Sequence, residues 1–375
     1  MATGFPTKAN WSAGDLLTAS QMDDLAGTLN TLSPVGQANG STLVANSANA
    51  SGLGWTSGNP IPNPVLNSAF QVWQRGTSIT QSVAGSNVYT ADRWALSVGA
   101  NQASTVSRQV TGDTTNLPNI QYCARVQRNS GQTGTTEMYL TNSFETINTI
   151  PFAGKTVTVS FYARAGSNFS AASNAMKLYL MTGTGTDQSR SGAPYTGEVA
   201  AISQTATLTT TWQRFSYSAA LNATTTELAI LAAYTPVGTA GTNDYFELTG
   251  VQIDIGSVAL PFRTYAGTLQ GELAAARRYF RTQTTFQGIG SSSIRIDGTF
   301  TFDQPMRTTP TVTQTGVFSF YDTVNATITQ SANSAVIQDA NDLGAWLRFQ
   351  NVTGVTAFRP YIQASAFKLQ FDAEL

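Results

Sequence analysis

The chain has 375 residues, of which only 11% are charged, with no histidine, one cysteine and a formal net charge of −1. That length allows two or three domains and a substantial core, while the near-zero net charge offers no long-range field for nucleic acid or an anionic membrane. Without histidine, Ser-His-Asp and Cys-His catalysis, histidine-ligated metals and imidazole pH switches are excluded.

Residues 1–32 contain the first predicted helix. Thr18 or Ser20 can cap it, with Asp23 and Asp24 in its first turn, where carboxylates suit the helix dipole. Met22, Leu25, Leu29 and Leu32 then form a short apolar stripe. Two readings stay open: a helix docked on its own chain, or a short parallel bundle in an oligomer, for which these four residues are the candidate interface. Residues 33–62 have the Gly, Ser, Asn, Ala and Pro content of a linker. Leu43, Val44, Leu53 and Trp55 are too apolar for a solvated tether, so an extended stem laid along neighbouring chains is expected. MATGFPTKANW has neither a basic leader nor an apolar core segment, so an export signal is not expected. No run approaches the ~18 apolar residues of a membrane-spanning helix, and membrane insertion is not expected.

Asn63-Pro64 marks the entrance to a β-domain spanning 63–266. Val157, Val159, Phe161 and Ala163 alternate along one strand; Phe215, Tyr217, Ala219 and Leu221 do so along another, and Leu228, Ile230, Ala232 and Tyr234 along a third. Such half-buried strands make two sheets facing one core. In YFELTGVQIDIG the alternation changes phase at Gly250, which predicts a β-bulge. Cys123, in the apolar run IQYCARV, reads as a buried, inert thiol.

A second helix is predicted over 267–281. Its Leu269, Leu273, Ala276 and Phe280 form a seam suited to a trimer axis, with Arg277, Arg278 and Arg281 read as a solvated last turn. Residues 282–375 return to strands: Ile294, Ile296, Phe300 and Phe302 alternate, as do Phe367, Leu369, Phe371, Ala373 and Leu375. A small C-terminal β-domain follows. The expected fold is therefore all-β, a β-sandwich plus this smaller domain, with short N-terminal and inter-domain helices.

The search for chemistry returns no catalytic residue, metal ligand or cofactor site. Gly154-Lys155-Thr156 lacks the first glycine of a phosphate-binding loop, Thr standing at 149. Glu137, Glu145, Asp187, Glu198, Glu227, Asp244, Glu247 and Asp254 are scattered singly, mostly beside turns, so hydrolysis by paired carboxylates is not expected. Saccharides can instead be gripped by stacking on Trp or Tyr. Trp73, Trp94 and Trp212 sit among apolar neighbours and read as core, and Arg93 is expected to pair with Asp92 or a sheet carboxylate. In DLGAWLRFQ, inward Leu347 and Phe349 would turn Trp346 and Arg348 outward. With Tyr321, expected nearby, they are the candidate receptor contact; subunit packing is the competing reading.

VWQRGTS, YTADRW and the exit segment LTGVQIDIGSVALPF together resemble the carbohydrate-binding-module-like jelly roll of tail-fibre and receptor-binding proteins from tailed bacteriophages. The N-terminal WSAGDLLTASQMDD resembles the virion-attachment ends of such fibres, and FTFDQPMRTTPTVT with FDAEL resembles their small C-terminal β-domain. The resemblance implies a jelly roll and a homotrimer attached through its N-terminus to a phage tail or other virion protein. It further implies a host surface glycan or protein as receptor, and the virion as location. A head fibre, collar or capsid decoration protein would share these parts, and a polysaccharide-degrading tailspike is the less favoured alternative. One departure is Asp254, which stands where similar proteins tend to carry Glu and leaves a structural cation there open.

Overall fold

The computed structural model describes residues 62–322, 324, 327–330, 335–364 and 368–375, together with two short strands upstream. Those two, β1 (Thr42–Ala45) and β2 (Leu53–Thr56), pair antiparallel with Leu43 opposite Trp55. The facing backbone N–H and C=O groups of these two strands thus find partners within one chain. Met22, Leu25, Leu29 and Leu32 lie outside the described residues.

Twelve strands then build the larger module: β3 (Ser78–Gln81), β4 (Asn87–Tyr89), β5 (Ala95–Ser97), β6 (Ser104–Val110), β7 (Tyr122–Arg128), β8 (Met138–Ser143), β9 (Thr156–Ala165), β10 (Ala175–Gly183), β11 (Val199–Thr207), β12 (Gln213–Ala220), β13 (Glu227–Tyr234) and β14 (Tyr245–Ile255). They form two six-stranded antiparallel sheets, ordered β11-β10-β13-β8-β5-β4 and β12-β9-β14-β7-β6-β3. The fold is an all-β jelly-roll sandwich. The alternating residues of β9 and β13 named above are fully buried between the sheets, with Trp73 and Trp94 in the same core. Trp212 is also buried, but on the outer side of one sheet, with Leu117, Ile120 and Cys123. Burial pushes the Cys123 thiol pKa well up, which keeps it protonated and unreactive.

The phase change in β14 is a bulge at Gly250, which has φ +58° at the register shift against β9. Entry and exit of the sandwich are tied through one side chain. Asn63 donates to the carbonyls of Val251 and Arg263 at 2.9 and 3.0 Å and accepts from the N–H groups of Val65 and Ile253. Asp254, at the exit, accepts from Arg263, the Leu260 N–H and Gln252.

The connecting helix spans Leu269–Arg277, capped by Thr268, which accepts from the Gly271 N–H. It does not reach 281, because Phe280 already opens the next strand, Phe280–Gln283, opposite Asp372. The proposed trimer seam is corrected accordingly. Ala276 and Phe280 are buried in their own chain, Leu273 packs beside Leu66, Val72 and Tyr279, and Leu269 alone of the four is exposed, at 56%. Of the arginines, Arg277 and Arg278 keep side chains 38% and 42% exposed, whereas Arg281 is buried; Arg277 and Arg281 pair with Asp303, and Arg278 with Glu145.

The smaller module comprises β15 (Phe280–Gln283), β16 (Gln287–Ser292), β17 (Arg295–Thr301), β18 (Thr311–Thr315), β19 (Ser319–Asp322), β20 (Thr327–Thr329), β21 (Ala335–Asn341), β22 (Gly344–Phe349), β23 (Pro360–Gln363) and β24 (Lys368–Asp372). A three-stranded sheet, β15-β24-β18, faces a seven-stranded one, β20-β19-β23-β16-β17-β22-β21. Their shared core is phenylalanine-rich, with Phe286 and Phe318 ring centroids 4.6 and 4.7 Å from Phe349. Ile294 departs from the predicted alternation: it sits in the β16–β17 turn and is exposed.

The chain end returns to the sandwich. Arg75 reaches Asp372 at 3.1 Å and Glu374 at 3.3 Å, and Arg93 also pairs with Glu374. Both guanidiniums lie over aromatic rings, Arg75 3.5 Å from the centroid of Phe280 and Arg93 3.7 Å from that of Tyr279. Of the two partners expected for Arg93, Asp92 or a sheet carboxylate, Asp92 already accepts from the Gln74 backbone and side chain and faces Arg75, and Arg93 pairs instead with Glu374, just beyond the last strand.

Candidate functional site on the distal sheet

Strand β22 buries Ala345, Leu347 and Phe349, so Trp346 and Arg348 point away from the core, as the alternation predicts. Trp346 is 41% exposed, whereas Trp73, Trp94 and Trp212 are at 9% or less. Register carries this outer face across the sheet: Trp346 stands opposite Thr299, Arg348 opposite Asp297, Asp297 opposite Ile289, and Gln287 opposite Ile362. Ile362 in turn stands opposite Tyr321. Tyr321 therefore shares the face with Trp346 but not its neighbourhood. Four strand spacings separate them, roughly 19 Å, which corrects the expected pairing.

Two shallow depressions flank Trp346. One, of about 490 Å³, is lined by Gln287, Ile289, Asp297, Thr299, Pro360 and Ile362 among others. The second, of about 300 Å³, has Thr301, Asp339, Asn341 and Leu343 in its wall. Trp346 and Thr299 line both. The indole is thus a ridge between two apolar-floored hollows edged with amide, hydroxyl and carboxylate groups.

Arg348 is held in place by a fork-to-fork pair with Asp297, both hydrogen bonds measuring 2.8 Å. Those bonds hold the Asp297 carboxyl below the usual carboxylate range, so the pair stays ionised near neutrality. The Arg348 guanidinium carbon lies 5.7 Å from the Trp346 ring centroid, which orders the indole edge. Beneath this face, Gly288 and Gly298 leave room for the Phe286 ring: a Cβ added at either would come within 2.7 Å or less of its ring atoms. The platform is therefore backed by a rigid core side chain.

The sequence reading missed several contributors. Gln287 and Ile289 lie in QGIGSSS, which reads as a turn because its glycines mask the strand alternation. Phe358 was missed as well. It is 91% exposed, holds φ +64°, and donates its N–H to the carbonyl of Gly290, the residue after Ile289 of the larger hollow, without lining that hollow itself. A bulky residue in the left-handed region is strained, and such strain gathers at ligand contacts.

The sandwich carboxylates lie mostly beside turns, as expected, Glu247 within a strand being the exception, yet most of them are not exposed. Glu145, Glu227, Asp244, Glu247 and Asp254 are buried, four of them paired with Arg278, Arg128, Arg125 and Arg164, or Arg263. Asp187 and Glu227 come together by sharing Thr146, at 2.9 and 3.0 Å. Burial raises the Glu227 pKa, yet the residue is fully enclosed and out of reach of a polymer.

No protein-family model matches the chain, and no curated protein matches it. Among solved structures, the chain is similar to one described as "CBM4 structure and function", at 15% identity over 51% of this chain and 99% of that one, with a TM-score of 0.30. It is also similar to TmCBM61 in complex with β-1,4-galactotriose, at 14% identity over 52% and 99% of the two chains and a TM-score of 0.27. A third is the enzymatically active domain of tailspike protein 4 from bacteriophage CBA120, at 11% identity, covering 53% of this chain but 22% of that one, with a TM-score of 0.32. Likenesses at this level carry no inference about ligand or activity.

Proposed function

We propose that the chain is an adhesive fibre protein of a tailed-bacteriophage virion that grips a host-surface glycan without covalent chemistry. The observation that carries the binding is the exposed Trp346 ridge, fixed beside the Asp297–Arg348 pair between two polar-edged hollows. A sugar's apolar face stacks on the indole, while Asp297, Asn341, Gln287 and Thr299 are placed to take its hydroxyls. The virion assignment rests on the VWQRGTS, YTADRW and exit motifs, whose residues here build the entry, exit and inter-module contacts of the sandwich. In this reading the N-terminus docks on the particle and the chain forms a homotrimer. Three weak contacts on one axis then act together, so avidity replaces single-site affinity.

A glycan array probed with wild type and Trp346→Ala tests the reading. Trp346 is exposed, so the variant should fold with a loss of less than about 1 kcal/mol and lose array binding at least tenfold. Equal binding by both proteins removes the site. Shortened glycan chains after incubation with wild type would replace adhesion with hydrolysis or lysis.

A further inference from the structure

We infer a second ligand site, on the outer face of the sandwich, built to hold the anionic group of a charged saccharide between Arg125 and Arg164. It does not depend on the Trp346 platform. Along one row of the sheet, Arg125 of β7 and Arg164 of β9 stand on either side of Glu247 of β14. Glu247 is fully buried and accepts from both: Arg125 through Nε and Nη2 at 2.8 and 2.6 Å, and Arg164 through Nε. One carboxylate thus orients two guanidiniums, each about a quarter exposed.

Each guanidinium also lies on an aromatic ring. Arg125 is 4.0 Å from the centroid of Tyr245, and Arg164 is 4.7 Å from that of Trp212. Trp212 is itself fixed by donating to the Thr111 carbonyl at 3.0 Å. Hydrogen bonding from beneath and stacking from the side restrict both arginines, so little side-chain entropy remains to be lost on binding. Nη1 of Arg125 and both Nη groups of Arg164 have no hydrogen-bond acceptor among the described residues. These donors are solvated, planar and aimed by a common buried anchor, the arrangement that suits a carboxylate or phosphate.

The surroundings favour a saccharide over a bare ion. Ser107 stands opposite Arg125, and Gln127 opposite Tyr245, which adds a hydroxyl and an amide beside a half-exposed aromatic ring.

Isothermal titration of the full-length protein tests the inference. The probes are trigalacturonate and mannose 6-phosphate, each against its neutral counterpart, galactotriose and mannose. Wild type should bind at least one charged probe tenfold or more tightly than its neutral partner, and which probe succeeds tells carboxylate from phosphate. Arg125→Gln and Arg164→Gln should each erase that preference, and Trp346→Ala should keep it. Each single variant leaves Glu247 one arginine; if either fails to fold, Arg→Lys at the same position keeps a charge over Glu247 but loses the fork. No preference in wild type, a preference that survives both variants, or its loss in Trp346→Ala would each overturn the site. Retention in Trp346→Ala also separates this site from failure of the distal one.

Discussion

Phe358 shows most plainly how a single residue trades stability for presentation. Its left-handed backbone costs roughly 1–2 kcal/mol for an L-residue, and its ring is 91% exposed and recovers almost nothing by burial. Phe358→Gly relieves the strain while adding unfolded-chain entropy worth roughly 0.5–1 kcal/mol. The net expectation is a variant more stable by up to about 1 kcal/mol in denaturant unfolding. A destabilised variant would show that the ring packs against something the monomer does not contain. No periodicity in the sequence marks Phe358, because what sets it apart is a dihedral angle. Trp346 was legible for the opposite reason: its strand neighbours Leu347 and Phe349 fixed the parity, and parity fixes direction. Tyr321 had neither a legible face nor a legible distance: FYDTVN reads as a turn although Tyr321 lies in β19, and strand order across a sheet is not written in any one strand.

At the scale of elements, buried carboxylates give the protein an acid-tolerant stability profile. Burial raises the pKa of Glu272, which accepts from the N–H groups of Asn67 and Ala266 and ties the connecting helix to the sandwich. Burial raises Asp92 in the same way at the junction. A carboxyl whose folded pKa exceeds its unfolded value contributes stability that is complete below the unfolded value, about 4, and is lost as pH rises through the folded one. Asp297 works in the other direction, because Arg348 lowers its pKa; its contribution is present above about 4 and lost as pH falls further. The melting temperature should therefore rise as pH drops from 7 toward about 5 and fall again below about 4. A monotonic fall from pH 7 downward in calorimetry would contradict these assignments. The helix itself was legible from its leucine spacing, but its end was not. Phe280 belongs to β15 because the last strand of the chain pairs with it, a contact more than ninety residues away in sequence.

The whole molecule is two β-modules locked by the chain's own end. Glu374 lies between Arg75 and Arg93, Arg307 donates to the carbonyls of Ala373 and Glu374, and the Tyr89 hydroxyl donates to the Leu375 carbonyl at 3.1 Å. Lys368 adds a bond to the Gln74 carbonyl. The residues of VWQRGTS and YTADRW are therefore less a binding motif than a socket for residues 372–375. Glu374→Ala leaves Arg93 buried with the Ser143 carbonyl as its one side-chain hydrogen-bond acceptor among the described residues. The loss should be about 3–5 kcal/mol, with the single calorimetric transition splitting in two as the modules uncouple. One unshifted transition would mean that other contacts hold the modules together. Composition and alternation made the two-module, all-β plan readable, because burial on one face of a strand leaves a period of two in the sequence. The lock was unreadable, since nothing local links FDAEL to ADRW.

The claim that the distal face is the gripping surface can be tested at one atom group. Oxidative footprinting should be read by peptide mass for Trp73, Trp94, Trp212 and Trp346, with and without saturating glycan selected from the array. The first three are buried and should react slowly in both states, while Trp346 should react rapidly alone and be protected several-fold by ligand. Unchanged Trp346 oxidation with glycan demonstrably bound would place the grip elsewhere on the molecule.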